Sequence, residues 1–96
     1  MSGVPLPLLL RLYVAGNAPN SLAAVGNLRA ALQELGRADV ELEVLDVFDG
    51  VERALADGVL VTPLLIRVQP GPPVRVMGSL SDRGQLRMVL DPGGRL

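Results

Sequence analysis

The sequence predicts one α/β domain over residues 1–96, with its elements in the order βαβαββα. Three observations carry that expectation. Short apolar runs of strand length recur along the chain, one longer segment repeats its apolar residues at three- and four-residue steps, and 11 glycines and 8 prolines separate them. With 96 residues, 49% of them hydrophobic, the chain can fill one core and is too short for two. Tyr13 and Phe48 are the only aromatic residues, so that core is built from Leu, Val, Ile and Ala.

The first strand is Leu8-Leu9-Leu10-Arg11-Leu12-Tyr13-Val14, an apolar run with a single charge, as expected of a strand covered on both faces. Tyr13 is expected to pack in the core with its hydroxyl bonded. Ala15 to Ser21 supplies turn residues, and Asn17, Asn20 and Ser21 are candidate acceptors for the free amides of a helix start. In the helix that follows, Leu22, Val25, Leu28, Leu32 and Leu35 form the inward stripe, and Gly36 stands where a left-handed cap is needed.

Val40 to Val47 alternates apolar and acidic residues over its first half, which turns Glu41 and Glu43 to water and marks an edge or half-exposed strand. Asp49 precedes Glu52 by three residues, a capping-box spacing. A short helix follows, with Val51, Ala54 and Leu55 on one face and Gly58 at its end. After Val59-Leu60-Val61-Thr62, Pro63 begins the strand Leu64 to Val68, because proline starts a strand but does not sit inside one.

The Pro70-Gly71-Pro72-Pro73 loop then leads to Val74-Arg75-Val76-Met77, giving a hairpin-like pair with Arg67 and Arg75 as a candidate basic rim. Gly78 ends the pair and is the candidate hinge. Leu80 to Leu90 is the last helix, with Ser79 or Ser81 as N-cap, Ser79-x-x-Asp82 as an alternative capping spacing, and Leu86, Val89 and Leu90 inward. It closes at Asp91-Pro92-Gly93-Gly94. With a right-handed crossover after the first strand, this order resembles the thioredoxin-like architecture.

Composition removes most chemistries. A net charge of −1 offers no field for nucleic acid. The apolar start from Val4 to Leu10 lacks a basic leader and falls far short of the roughly 20 residues a bilayer span needs, so the expected location is the cytoplasm and no membrane contact is expected. Without His or Cys, no metal or cofactor is expected; Asp46 and Asp49 are too sparse for a calcium loop. Ser21 and Ser81 have no histidine to activate them. A redox thioredoxin needs a cysteine pair at the start of its first helix, where the helix terminus lowers a thiol pKa. Here that stretch reads Gly16-Asn17-Ala18-Pro19-Asn20-Ser21, so thiol–disulfide chemistry is excluded. The expectation is a protein that binds other proteins rather than an enzyme.

Within this element order the Thr62–Pro63 bond is expected to be cis. Its backbone then either docks a peptide or glutathione-like ligand, or is a feature the fold keeps unused. A glutathione-dependent enzyme would place Ser21 or Asn17 near Pro63.

Leu12-Tyr13-Val14-Ala15-Gly16-Asn17-Ala18-Pro19-Asn20-Ser21 resembles the N-terminal signature of the KaiB family. Val44-Leu45-Asp46-Val47, Val61-Thr62-Pro63, Pro72-Pro73-Val74-Arg75 and Gly78-Ser79-Leu80-Ser81 are similar to its later blocks, in order. The resemblance implies a non-enzymatic regulator that binds a KaiC-type ATPase, and beyond it KaiA or a sensor histidine kinase. Asn17, Pro19, Asn20, Ser21, Glu41 and Glu43 are then the candidate partner-binding residues, on the corner after the first strand and the edge of the second.

The resemblance also implies two folds. One is a homo-oligomeric ground state, dimer or tetramer, of order βαββααβ; the other is the thioredoxin-like state. A switch of that kind needs a segment whose packings differ by a few kcal/mol. Leu86 to Leu90 suits helix or strand, and Gly84, where the family often carries Glu, weakens the helix and removes half of a capping box begun by Ser81. Tyr13, Pro63, Gly78, Ser81, Asp82 and Gly84 are therefore the residues expected to define the fold. Ser79 in place of a common acid and the absence of an acidic tail after Leu96 depart from the family pattern. A free-standing thioredoxin-like sensor or adaptor, akin to a histidine-kinase input domain, is the alternative reading.

Overall fold

A computed structural model describes residues 7–91 of the chain; the expected closure at Pro92-Gly93-Gly94 lies outside them. The elements are β1 (Leu8–Val14), α1 (Pro19–Leu35), β2 (Val40–Asp46), α2 (Val51–Ala56), β3 (Leu64–Gln69), β4 (Val74–Met77) and α3 (Arg83–Leu90). This is the expected βαβαββα order. The sheet runs β2-β1-β3-β4. β1 pairs parallel with β2 and antiparallel with β3, which pairs antiparallel with β4.

Strand alternation divides the core between the two faces of the sheet. Leu8, Leu10 and Leu12 of β1 meet Ala24 and Leu28 of α1, Leu65 and Val76 of the hairpin, and Leu86, Val89 and Leu90 of α3. On the opposite face, Tyr13, Leu64 and Ile66 meet Ala54 of α2. α1 and α3 form a full layer, whereas the single turn and a half of α2 covers only part of its face. That asymmetry leaves apolar side chains open, as described below.

Helix starts are where local spacing misled. α1 begins at Pro19, and Ala18 at its N-cap makes no side-chain cap bond. Proline suits this place because its missing N–H is one that a helix start leaves unpaired anyway. Ser21 is accordingly inside the first turn and buried, and its Oγ accepts the Ala15 N–H at 3.0 Å. Asn17 and Asn20 are exposed and do not cap the helix. With the stripe set by Ser21, Ala24 and Leu28, Leu22 points to water rather than inward. The helix ends as expected, Gly36 being left-handed at φ 69° with its N–H on the Leu32 carbonyl.

α2 starts at Gly50 with no side-chain cap, so Asp49 does not form the expected capping box. Asp46 shapes the preceding turn instead, accepting the Phe48 N–H at 2.9 Å. Only Ala54 of the expected Val51, Ala54 and Leu55 stripe is buried. Its two flanking residues face solvent because no further layer covers them.

β4 leads into α3 through Gly78 at φ 99° and Leu80 at φ 62°. Leucine is held in this left-handed conformation while its side chain is buried, and Asn27 of α1 fixes the turn by donating to the Ser79 carbonyl at 2.9 Å. α3 then starts at Arg83, not Leu80. Asp82 is the N-cap and its carboxylate accepts the Gln85 N–H at 3.0 Å, so neither Ser79 nor Ser81 caps the helix and Gly84 is its second residue rather than the missing half of a box.

The Thr62–Pro63 bond is cis, as are Gln69–Pro70 and Gly71–Pro72, which the sequence reading had not singled out. Arg67 is the larger departure. Instead of rimming the hairpin it is 7% exposed, donating from Nε to the Pro70 carbonyl at 3.1 Å and from Nη1 to the Val89 carbonyl at 2.8 Å.

Candidate functional site

The corner after β1 is shaped by Gly16, left-handed at φ 53°. A Cβ there would stand 3.6 Å from the Phe48 ring, so the aromatic side chain of the β2–α2 turn lies over the corner. Asn17, Pro19 and Asn20 are exposed beside it, while Ser21 is turned inward. Pro63 is buried.

From Phe48 an open apolar depression extends over the uncovered part of the α2 face. Ala15, Val47, Ala54 and Val59 form its floor, and Phe48, Val51, Leu55, Leu60 and Val61 its rim. The rim residues are 74%, 57%, 70%, 93% and 51% exposed, in that order. Apolar side chains clustered to this degree on a small domain mark a surface that another molecule covers. From sequence, Val51 and Leu55 share one helix face with Ala54, and Phe48 has no assigned role. The signal passed over there was Val59-Leu60-Val61, an apolar run that belongs to no strand.

A polar cluster seats α2 and with it the depression. The Tyr13 hydroxyl donates to the Asp57 carboxylate, and Arg11 Nη1 lies 3.3 Å from the same oxygen. Burial, then the bond to Asp57, raises the Tyr13 pKa, which keeps the phenol a proton donor. Arg53 of α2 pairs in two-pronged fashion with Glu43 of β2, at 2.7 and 3.0 Å, and holds that carboxyl below its ordinary pKa. Arg75 of β4 donates to the Asp57 carbonyl at the end of α2. Glu43 is thus engaged within the chain, while Glu41 stands exposed on the edge strand, away from the β1–α1 corner.

The candidate residues therefore divide into two groups. Asn17, Pro19 and Asn20 are exposed at the β1–α1 corner, whose Ala15 lines the depression; Glu41 and Glu43 belong to the β2 edge. Among the described residues no group of acids is placed to hold a metal ion, and no helix is long and apolar enough to cross a membrane.

Solved structures with this fold include thioredoxins. Mitochondrial thioredoxin 3 of Saccharomyces cerevisiae superposes with a TM-score of 0.73 at 16% identity, covering 88% of this chain and 77% of that one. The N-terminal domain of SasA from Synechococcus elongatus superposes at 0.75 with 26% identity, over 100% of this chain and 94% of that one. In sequence, the circadian clock oscillator protein KaiB of Prochlorococcus marinus is 43% identical over 83 residues, 86% of this chain and 70% of that protein. Its counterpart in Parasynechococcus marenigrum is 42% identical over 86% of this chain and 80% of its own. The KaiB domain model matches residues 11–92, from within β1 through the end of α3. On these grounds the chain belongs to the KaiB family.

Proposed function

We propose that the chain is a non-catalytic regulatory protein of the cytoplasm that binds a KaiC-type ATPase and modulates its phosphorylation, with a circadian or stress-response output. The observation that carries this reading is the exposed apolar depression beside a β1–α1 corner that holds no thiol. Where a thioredoxin places its reactive cysteines, this chain has Asn17 and Pro19, and the same corner meets the uncovered apolar depression through Ala15 and through Gly16 under Phe48. Such a corner is suited to contact and not to electron transfer.

Asn17, Pro19 and Asn20 extend the contact surface, and the β2 edge with Glu41 and Glu43 offers a second one for KaiA or a sensor histidine kinase. A homo-oligomeric state of order βαββααβ belongs to the same proposal, with Gly78 as the hinge. A glutathione-dependent reaction has less support, because the Ser21 hydroxyl is buried and engaged with Ala15.

Co-precipitation with a KaiC-type ATPase in its different nucleotide states tests the proposal. A stable complex in at least one state is expected; none in any state overturns it. The second reading, a stand-alone sensor or adaptor module, draws on the likeness to the SasA N-terminal domain over the whole chain. It predicts one fold at all concentrations. Backbone chemical shifts over residues 80–90, read together with a sedimentation mass, separate the two.

A further inference from the structure

The charge around the depression says what kind of partner it fits. Residues 38–52 contain Asp39, Glu41, Glu43, Asp46, Asp49 and Glu52 and no basic residue, in a chain whose net charge is only −1. Arg37 pairs with Asp39, and Arg53 and Arg11 with Glu43. Among the described residues, Asp46, Asp49 and Glu52 have no such partner. Asp49 and Glu52 are exposed and adjoin the rim residues Phe48 and Val51 in the chain; Asp46 holds the Phe48 amide. One side of the apolar surface is therefore bordered by uncompensated negative charge.

We infer that the depression rimmed by Phe48, Val51, Leu55 and Leu60 takes an apolar segment of a partner protein flanked by lysine or arginine, with Asp49 and Glu52 selecting the charge. An apolar surface gives affinity to any apolar partner, whereas opposite charge at its rim sets orientation and excludes wrong ones. A second copy in a two-fold contact would bring its own Asp49 and Glu52 to this rim, like charge against like. An anionic membrane surface meets the same repulsion. The inference rests on the reading of this surface as the partner-docking site.

Two synthetic peptides test it, each about 14 residues long and so about four helical turns, with the same leucine stripe and either lysine or glutamate flanks. Titrated into isotope-labelled protein, the lysine peptide should shift Phe48, Val51, Leu55 and Leu60 and bind at least about tenfold tighter than the glutamate peptide. Its affinity should fall as salt rises from about 0.05 to about 0.5 M. Asp49→Lys with Glu52→Lys should reverse the preference, and Leu60→Ser should weaken both peptides.

Equal binding of the two peptides, or shifts confined to the α1–α3 surface, overturns the inference. So does self-association that Leu60→Ser abolishes, which would make a second copy the occupant. An ATPase complex indifferent to the Asp49 and Glu52 reversals overturns this inference alone. Charge-selective peptide binding with no ATPase complex overturns the proposed function and leaves the inference standing.

Discussion

The Nη1 of Arg67 on β3 lies 2.8 Å from the carbonyl oxygen of Val89, so a buried guanidinium closes the last turn of α3 from across 22 residues. No carboxylate pairs with it among the described residues. What compensates the charge is the carbonyl-rich end of α3, negative in the sense of the helix dipole, together with the Pro70 carbonyl of the β3–β4 loop. Arg67→Met keeps most of the volume and removes both donors. It should lower the unfolding free energy by about 1–3 kcal/mol, read from urea denaturation, and reduce the helical chemical shifts of residues 83–90. Arg67→Lys keeps the charge and should lose less.

The start of the same helix depends on Asp82. Asp82→Ala should cost about 1 kcal/mol by loss of the bond to the Gln85 amide, whereas Ser81→Ala should stay within about 0.5 kcal/mol of the parent. Equal losses would return the cap to Ser81.

Acid sensitivity should come from the ion pairs. Arg53 holds Glu43 below its ordinary 4.5, and Arg37 holds Asp39 below its ordinary 3.8. The unfolded chain takes up these protons at the ordinary values, so the stabilisation is present above them and is lost as pH falls through the depressed folded values. The urea midpoint should decline below about pH 5, and Glu43→Gln should flatten part of that decline.

Leu60 separates binding from stability. Being 93% exposed, it adds little to folding, and Leu60→Ser should change the unfolding free energy by no more than about 0.5 kcal/mol. The complex proposed with a KaiC-type ATPase should nonetheless weaken by about tenfold or more.

The strands, the end of α1 at Gly36 and the inward face of α3 were all legible in the sequence. Each follows from periodicity or from a residue whose backbone preference is local. Helix starts were not, because several short polar residues near Pro19 and Arg83 satisfy the same spacing, and only the observed amide partners choose among them. Leu22, Val51 and Leu55 failed for a different reason. Periodicity names a stripe but not how wide a layer covers it, and α2 is too short to shield its own flanks. Arg67 was misread because a charge in a strand ordinarily faces water; its reason for burial lies on an element 22 residues away. The candidate site was half legible: the thiol-free corner is visible in the sequence, while the depression needs Phe48 brought over Gly16.

The principal contacts between the two ends of the chain are the β1–β3 ladder and the packing of α1 on α3. Between them runs the stretch from Val47 to Thr62, and that connecting stretch also supplies the rim of the depression. A ligand held there grips the joint between the two halves rather than either half alone. Its binding free energy is then linked to how those halves are set against each other, and whichever arrangement shapes the depression gains population when the ligand is present.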